Sequence, residues 1–246
     1  MTSRRRLASY LVASALLTIA ALVAAGFWAW RHEPDFYREA LAVDPEEQRE
    51  ASDQMLSHAS AVVSAAHHQG EWSASFSADE INGWLAVDLS ENYPDLLPRE
   101  VVEPRISLTP GTATIACRFV EGSMSTVVSL EVEAYMAEPG VLALRLCKMR
   151  AGAIPIPLAK VLEGLSDVAA NIQLPLQWTK AKGQPVALVT LPALGKERSR
   201  YELDSLELRD GTIYVAGKTI ADGSTPRVVG PATAGRHPSS NVNVQR

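Results

Sequence analysis

The side chains in this sequence that could carry chemistry are few: five histidines, two cysteines and some neighbouring carboxylates. His67 and His68 are adjacent and follow an apolar-periodic stretch. A metal centre built on them needs further ligands at set spacing, and none is visible. A helix end favours cationic side chains through the macrodipole, which accounts for the pair without a ligand. Asp79 and Glu80 do not face each other on a helix, and acids in a first turn are explained by the same dipole. Glu131 and Glu133 share one face of a strand, the ordinary place for solvated carboxylates. Cys117 and Cys147 flank a central strand and point to opposite faces, beyond the ~7 Å reach of a disulfide. Two separate free thiols are therefore expected, neither with an activating base. No G-x-S-x-G, H-E-x-x-H, P-loop or G-x-G-x-x-G occurs. The expectation is a non-enzymatic protein with no catalytic residue, metal ligand or cofactor site.

Charge narrows the partners. The chain has 246 residues with 23 basic and 28 acidic side chains. Positions 1–31 hold four arginines and no acid, so the rest carries 19 basic against 28 acidic residues, a net of −9. An acidic body lacks the basic stripe that meets phosphates, and nucleic acid is excluded as a partner. Leu7 to Trp30 is a run of 24 residues without charge. About 20 apolar residues cross a bilayer core, so 7–30 is expected to be a transmembrane helix, with Phe27, Trp28 and Trp30 at its far interface. Arg4, Arg5 and Arg6 place residues 1–6 in the cytoplasm and everything beyond Arg31 outside it, giving a single-pass protein of the inner (plasma) membrane. Cleavage after Val23-Ala24-Ala25 is the alternative; the apolar run exceeds a signal peptide's ~7–15 residues.

The elements that would position any site follow from periodicity. Residues 31–43 read as a linker, 44–221 as one α+β domain, and 222–246, rich in Pro, Gly and Ser without aromatics, as a disordered tail. Asp44, Pro45 and Glu47 open a helix over 45–69, with Gly70 as its left-handed stop. Trp72, Ala74 and Phe76 alternate as a strand. Ser77 and Glu80 form a capping box for a second helix bearing Ile81, Trp84, Leu85 and Leu89 on one face. Period-two runs at 112–120, 123–137 and 141–150 predict an antiparallel meander with one face wet, Met124 to Met136 supplying the apolar side. Gly152–Pro157 reads as a stiff connector or a groove lip, followed by a third helix from Leu158. Strands follow at 174–178 and 186–191, and a hairpin at 203–209 and 212–220 turns on Asp210-Gly211. The fold class is thus a transmembrane helix followed by a curved antiparallel sheet packed with about three amphipathic helices.

A long sheet with an apolar face and few helices to cover it leaves a lipophile groove as the candidate site, assigned to Leu130, Val132, Leu144, Ile154, Ile156, Leu158, Leu162 and Leu165. Partners would be the bilayer through the N-terminal helix and a lipid. In the alternative the core is closed, and the acidic exterior or the anchor docks an envelope protein. The segments Phe76-Ser-Ala-Asp-Glu-Ile-Asn-Gly-Trp-Leu85 and Gly152-Ala-Ile-Pro-Ile-Pro-Leu158, in their order after the anchor, resemble the YpmS-like family of bacterial membrane-anchored proteins. More distantly they resemble extracytoplasmic lipid-binding-like domains of the LmeA type. The resemblance covers roughly residues 7–190 and implies a bacterial envelope protein with lipid contact. It carries no catalytic residues, and the region after 195 departs from it.

Overall fold

Asp44 begins the first long helix of the body because its carboxylate accepts the Glu46 N–H at 2.9 Å while Pro45 supplies a first position that needs no donor. The computed structural model describes residues 2–160, 162–171, 174–190 and 199–221. Helix α1 spans Thr2–Trp30, α2 Asp35–Leu41 and α3 Pro45–Ala66. Strand β1 is Gly70–Ser77, followed by α4 (Ala78–Ala86) and α5 (Asp88–Asn92). Ser77 and Glu80 close the reciprocal capping box, at 3.1 and 2.7 Å. Strands β2 (Val101–Thr109), β3 (Thr112–Glu121), β4 (Met124–Glu138), β5 (Val141–Ala151) and β6 (Ile154–Ile156) come next. A 3-10 turn at Leu158–Lys160 leads into α6 (Leu162–Asn171), and β7 (Leu176–Ala181), β8 (Gln184–Thr190), β9 (Ser199–Arg209) and β10 (Thr212–Ala221) complete the order. Side chains of α1 are described from Leu16 onward, and among the described residues no helix is long and apolar enough to cross a membrane. The tail expected at 222–246 lies outside the described residues.

The strands form two sheets rather than one. The larger is curved and antiparallel in the order β2-β3-β4-β5-β8-β7, with β6 added to the end of β5. The smaller has the order β1-β10-β9 and pairs Gly70 with Thr219 through to Ser77 with Thr212. The sheets are tied at their turns, where Gly111 N–H donates to Leu208 O at 2.9 Å and Gly211 N–H to Leu108 O at 3.0 Å. Beneath those bonds Leu108, Ala113 and Leu208 are buried together, with Ile81, Leu206 and Ile213 packed on them. Thr219 in β10 donates its hydroxyl to Ala66 O at 2.7 Å and so satisfies a carbonyl of the last turn of α3.

Several expectations need correction. Residues 31–43 are not a free linker, because α2 lies within them and packs on the large sheet, where Tyr37 is fully buried beside Ala116 and Val127. For the same reason the second face of β4 is not wet along its length: Val127 and Ser129 are buried at 2% and 9% exposure. Gly70 does not stop α3, which ends at Ala66 with His67 as a right-handed C-cap; Gly70, at φ 131°, opens β1. Gly152–Pro157 is more than a connector, since Ile154–Ile156 pair with β5.

Candidate functional site

A β-bulge between β4 and β5 decides what faces the interior. Cys117 and Leu130 lie on one face of β3 and β4, while the shift in register between Glu131 and Val132 keeps Leu146, then Met149 and Ala151, on that same face of β5. Their alternation brings apolar side chains from the large sheet against α4, α6 and the inner side of β9 and β10. The result is a cavity of about 510 Å³. This falls within the ~300–1,000 Å³ of small-molecule sites. Leu130 and Val132 from β4, Leu144 and Leu146 from β5, Ala187 and Val189 from β8 and Leu165 from α6 are on its wall, and every lining residue is apolar. Its floor is buried, with Leu146, Ala187 and Val189 at 2–3% exposure, while Ile115 at the rim is 43% exposed. One polar atom belongs to a lining residue: Trp178 Nε1, which donates to Ser166 Oγ at 2.8 Å, and Ser166 donates in turn to Leu162 O at 2.7 Å. The indole N–H is thereby satisfied.

Of the sequence-assigned groove residues, Leu130, Val132, Leu144 and Leu165 lie on the cavity wall. Ile154, Ile156, Leu158 and Leu162 are outside its lining; the first two sit in β6, Leu158 in the 3-10 turn and Leu162 at the start of α6. Sequence reasoning missed Ile106 and Leu108 of β2, Ile81 of α4 and the end wall formed by Leu206, Leu208 and Ile213. The alternation of Ile106 and Leu108 is a local strand signal. Nothing local tells that β9 and β10 close the cavity, because that depends on pairing with β1 across the chain. Asn82 holds α4 to β2, donating to Ile106 O at 2.9 Å and accepting from Ile106 N–H at 2.7 Å.

No titratable side chain is among the lining residues. On the opposite face of the large sheet Glu133 pairs with Arg145, and Lys148 donates to Glu131 at 3.2 Å. The Arg145 hydrogen bond holds the Glu133 carboxyl below its ordinary range. Burial pushes the Cys117 thiol up, and desolvation together with the Glu133 carboxylate pushes up Cys147; both cysteines are free. High thiol pKa values keep these sulfurs protonated and poorly nucleophilic. Glu80 accepts from the His58 ring at 2.8 Å in addition to its capping bond, so its acid is explained by structure. Among the described residues no three metal-capable side chains cluster.

The wall can therefore take up an apolar ligand by desolvation and shape, with no donor or acceptor to orient a polar one. No protein-family model, curated protein or solved structure matches the chain.

Proposed function

We propose that the chain is a single-pass, membrane-anchored extracytoplasmic protein whose α+β body holds a lipid or similar lipophile, without catalysing a reaction on it. The observation that carries this reading is the cavity of about 510 Å³ with a wholly apolar wall. A polar ligand buried there would lose hydrogen bonds to water without replacement, a cost of several kcal/mol that an acyl chain does not incur. The anchor is supported by the 24 uncharged residues of 7–30 and by the large side chains Leu16, Leu17, Leu22, Phe27 and Trp28, which are 59–73% exposed on α1 with no protein cover. Hydrocarbon is the solvent that suits such a surface. Arg4, Arg5 and Arg6 support the orientation. The resemblance to YpmS-like membrane-anchored proteins points the same way.

Native mass spectrometry of the full chain, released gently from detergent, tests the reading. The expected result is a co-purifying lipid mass that is lost when Leu144→Trp fills the cavity while the thermal transition is kept. A bare mass in the wild-type protein would overturn lipid holding and favour a closed module that docks an envelope protein. A phosphatase reporter fused after Ala40 should be active; an active cytoplasmic reporter at the same point would reverse the topology.

A further inference from the structure

The register of the large sheet carries the apolar face beyond the cavity. Ile115 and Leu130 are on the wall, and across the strands they align with Met149 and then Ile156. Two residues further along β3, Cys117 aligns with Val128, Ala151 and Ile154. Two residues beyond that, Phe119 aligns with Val101 and Thr126. Alternation keeps these three rungs on the cavity face. The Thr126 hydroxyl, the one polar group among them besides the Cys117 thiol, is already spent on Trp30 O at 2.8 Å. From Ile115 to Phe119 the strip runs about 13 Å at strand rise. It is open at β3 and β6, where Ile115, Phe119 and Ile154 are 43%, 36% and 38% exposed, and closed on the strands between, where Thr126 and Ala151 are buried.

The strip ends against α1. Ala153 N–H donates to Ala29 O at 2.7 Å, and Thr126 holds Trp30 O, so the last turn of α1 is seated at the end of the strip farthest from the small sheet. The side chains just before that seat, Phe27 and Trp28, are exposed aromatics of the kind that settle at a bilayer surface. The exposed side chains of β3 thus run from the wall of the cavity towards the helix end where hydrocarbon would begin.

We propose that this strip is the path by which one acyl chain of a bilayer phospholipid moves between the outer leaflet and the cavity, so that the ligand is drawn directly from the membrane. The proposal rests on the reading of the cavity and anchor given above. It follows from continuity: a chain that left the bilayer at Trp28 and ran along β3 past Phe119, Cys117 and Ile115, with Ile154 at the far edge of the middle rung, would keep a largely apolar protein surface beside it. The headgroup would stay in water, consistent with a cavity wall whose one polar side-chain atom, Trp178 Nε1, is already bonded to Ser166 Oγ.

The test compares two ways of loading the full chain. In the first, the protein is reconstituted in dioleoylphosphatidylcholine vesicles containing a diazirine-acyl phosphatidylcholine, and cavity-peptide crosslinks are followed in time. In the second, the protein is held in amphipol without a bilayer and loaded with diazirine oleate from cyclodextrin. Ile154→Lys and Phe119→Lys each place a charge on the strip at a position open enough to fold around it. Both should slow loading from vesicles about tenfold or more, the effect of raising a barrier by ~1.4 kcal/mol, and leave loading in amphipol unchanged. Using two strands guards against a folding defect at one site, which amphipol loading would reveal. Vesicle loading at the wild-type rate in both variants would overturn the path while leaving the cavity reading intact. Amphipol loading that persists in Leu144→Trp would instead overturn the cavity reading itself.

Discussion

Arg118 joins the segment after α1, helix α2 and strand β2 to β3. Its guanidinium reaches Glu33 at 2.8 Å and Glu103 at 2.9 Å and stands 6.0 Å from the centre of the Tyr37 ring. Tyr37 donates to Glu103 O at 3.0 Å, at a bulge in β2 where Glu103 adopts a left-handed φ of 53°. A non-glycine residue pays for that backbone with strain of order 1–3 kcal/mol, which the ion pair and the tyrosine hold in place. Burial pushes the Tyr37 phenol up to about 12, with the Glu103 charge adding to it. A raised pKa means that the folded state retains a proton the unfolded state releases. The contribution is therefore complete below pH ~10 and lost as pH rises from ~10 towards 12, roughly 2–3 kcal/mol at ~1.36 kcal/mol per pKa unit. Denaturant titrations across that range should show the loss, and Tyr37→Phe should reduce the alkaline slope while costing ~0.5–1.5 kcal/mol at neutral pH for the missing hydrogen bond. Glu133 has the opposite sign. Its carboxyl is held low by Arg145, so its contribution is present above the usual carboxylate range and disappears as pH falls through its folded value. The Tm difference between wild type and Glu133→Gln should shrink to nothing on the acid side.

At the scale of elements, the seat of α1 requires a glycine at position 152. Gly152 has a left-handed φ of 58°, and a Cβ there would run into the carbonyl oxygens of Ala29 and Trp30, which are backbone and cannot swing aside. Gly152→Ala should lower stability by more than ~1 kcal/mol, since both the conformation and the space are incompatible. Limited proteolysis should then cut first at 29–34, where the α1 end leaves its seat; an unchanged cleavage pattern would mean that α1 is held elsewhere. The α4 box makes a smaller claim. Ser77→Ala should cost ~0.5–2 kcal/mol by calorimetry, the range for a lost N-cap.

For the molecule as a whole, closure of the cavity depends on contacts between distant parts of the chain. β1 near residue 74 pairs with β10 near 215, and Leu108 and Ala113 are buried by Leu208. A chain ending before Ser199 would leave β1 unpaired and uncover Ile81, Leu108 and Ala113. It should fail to show a single cooperative melting transition. A truncated chain that melted as sharply as the full one would show that the large sheet is an independent domain and that β9 and β10 are an addition to it.

Much of this architecture was legible because it rests on neighbours in sequence. Periodicity and capping residues set α3, α4, the β3–β4–β5 meander and the β9–β10 turn at Asp210-Gly211, and half of the groove residues follow from local pattern: Leu130, Val132 and Leu144 from strand alternation and Leu165 from helical spacing. Tertiary structure decided the rest. Residues 31–43 carry too short an apolar pattern to announce a packed helix, and only the Ala116–Val127 surface gives Tyr37 a place to be buried. The division into two sheets, and with it the far wall of the cavity, arises from pairing between strands about 140 residues apart. Such pairing is set by which apolar faces remain uncovered once the local elements exist, and no window of the sequence contains both partners.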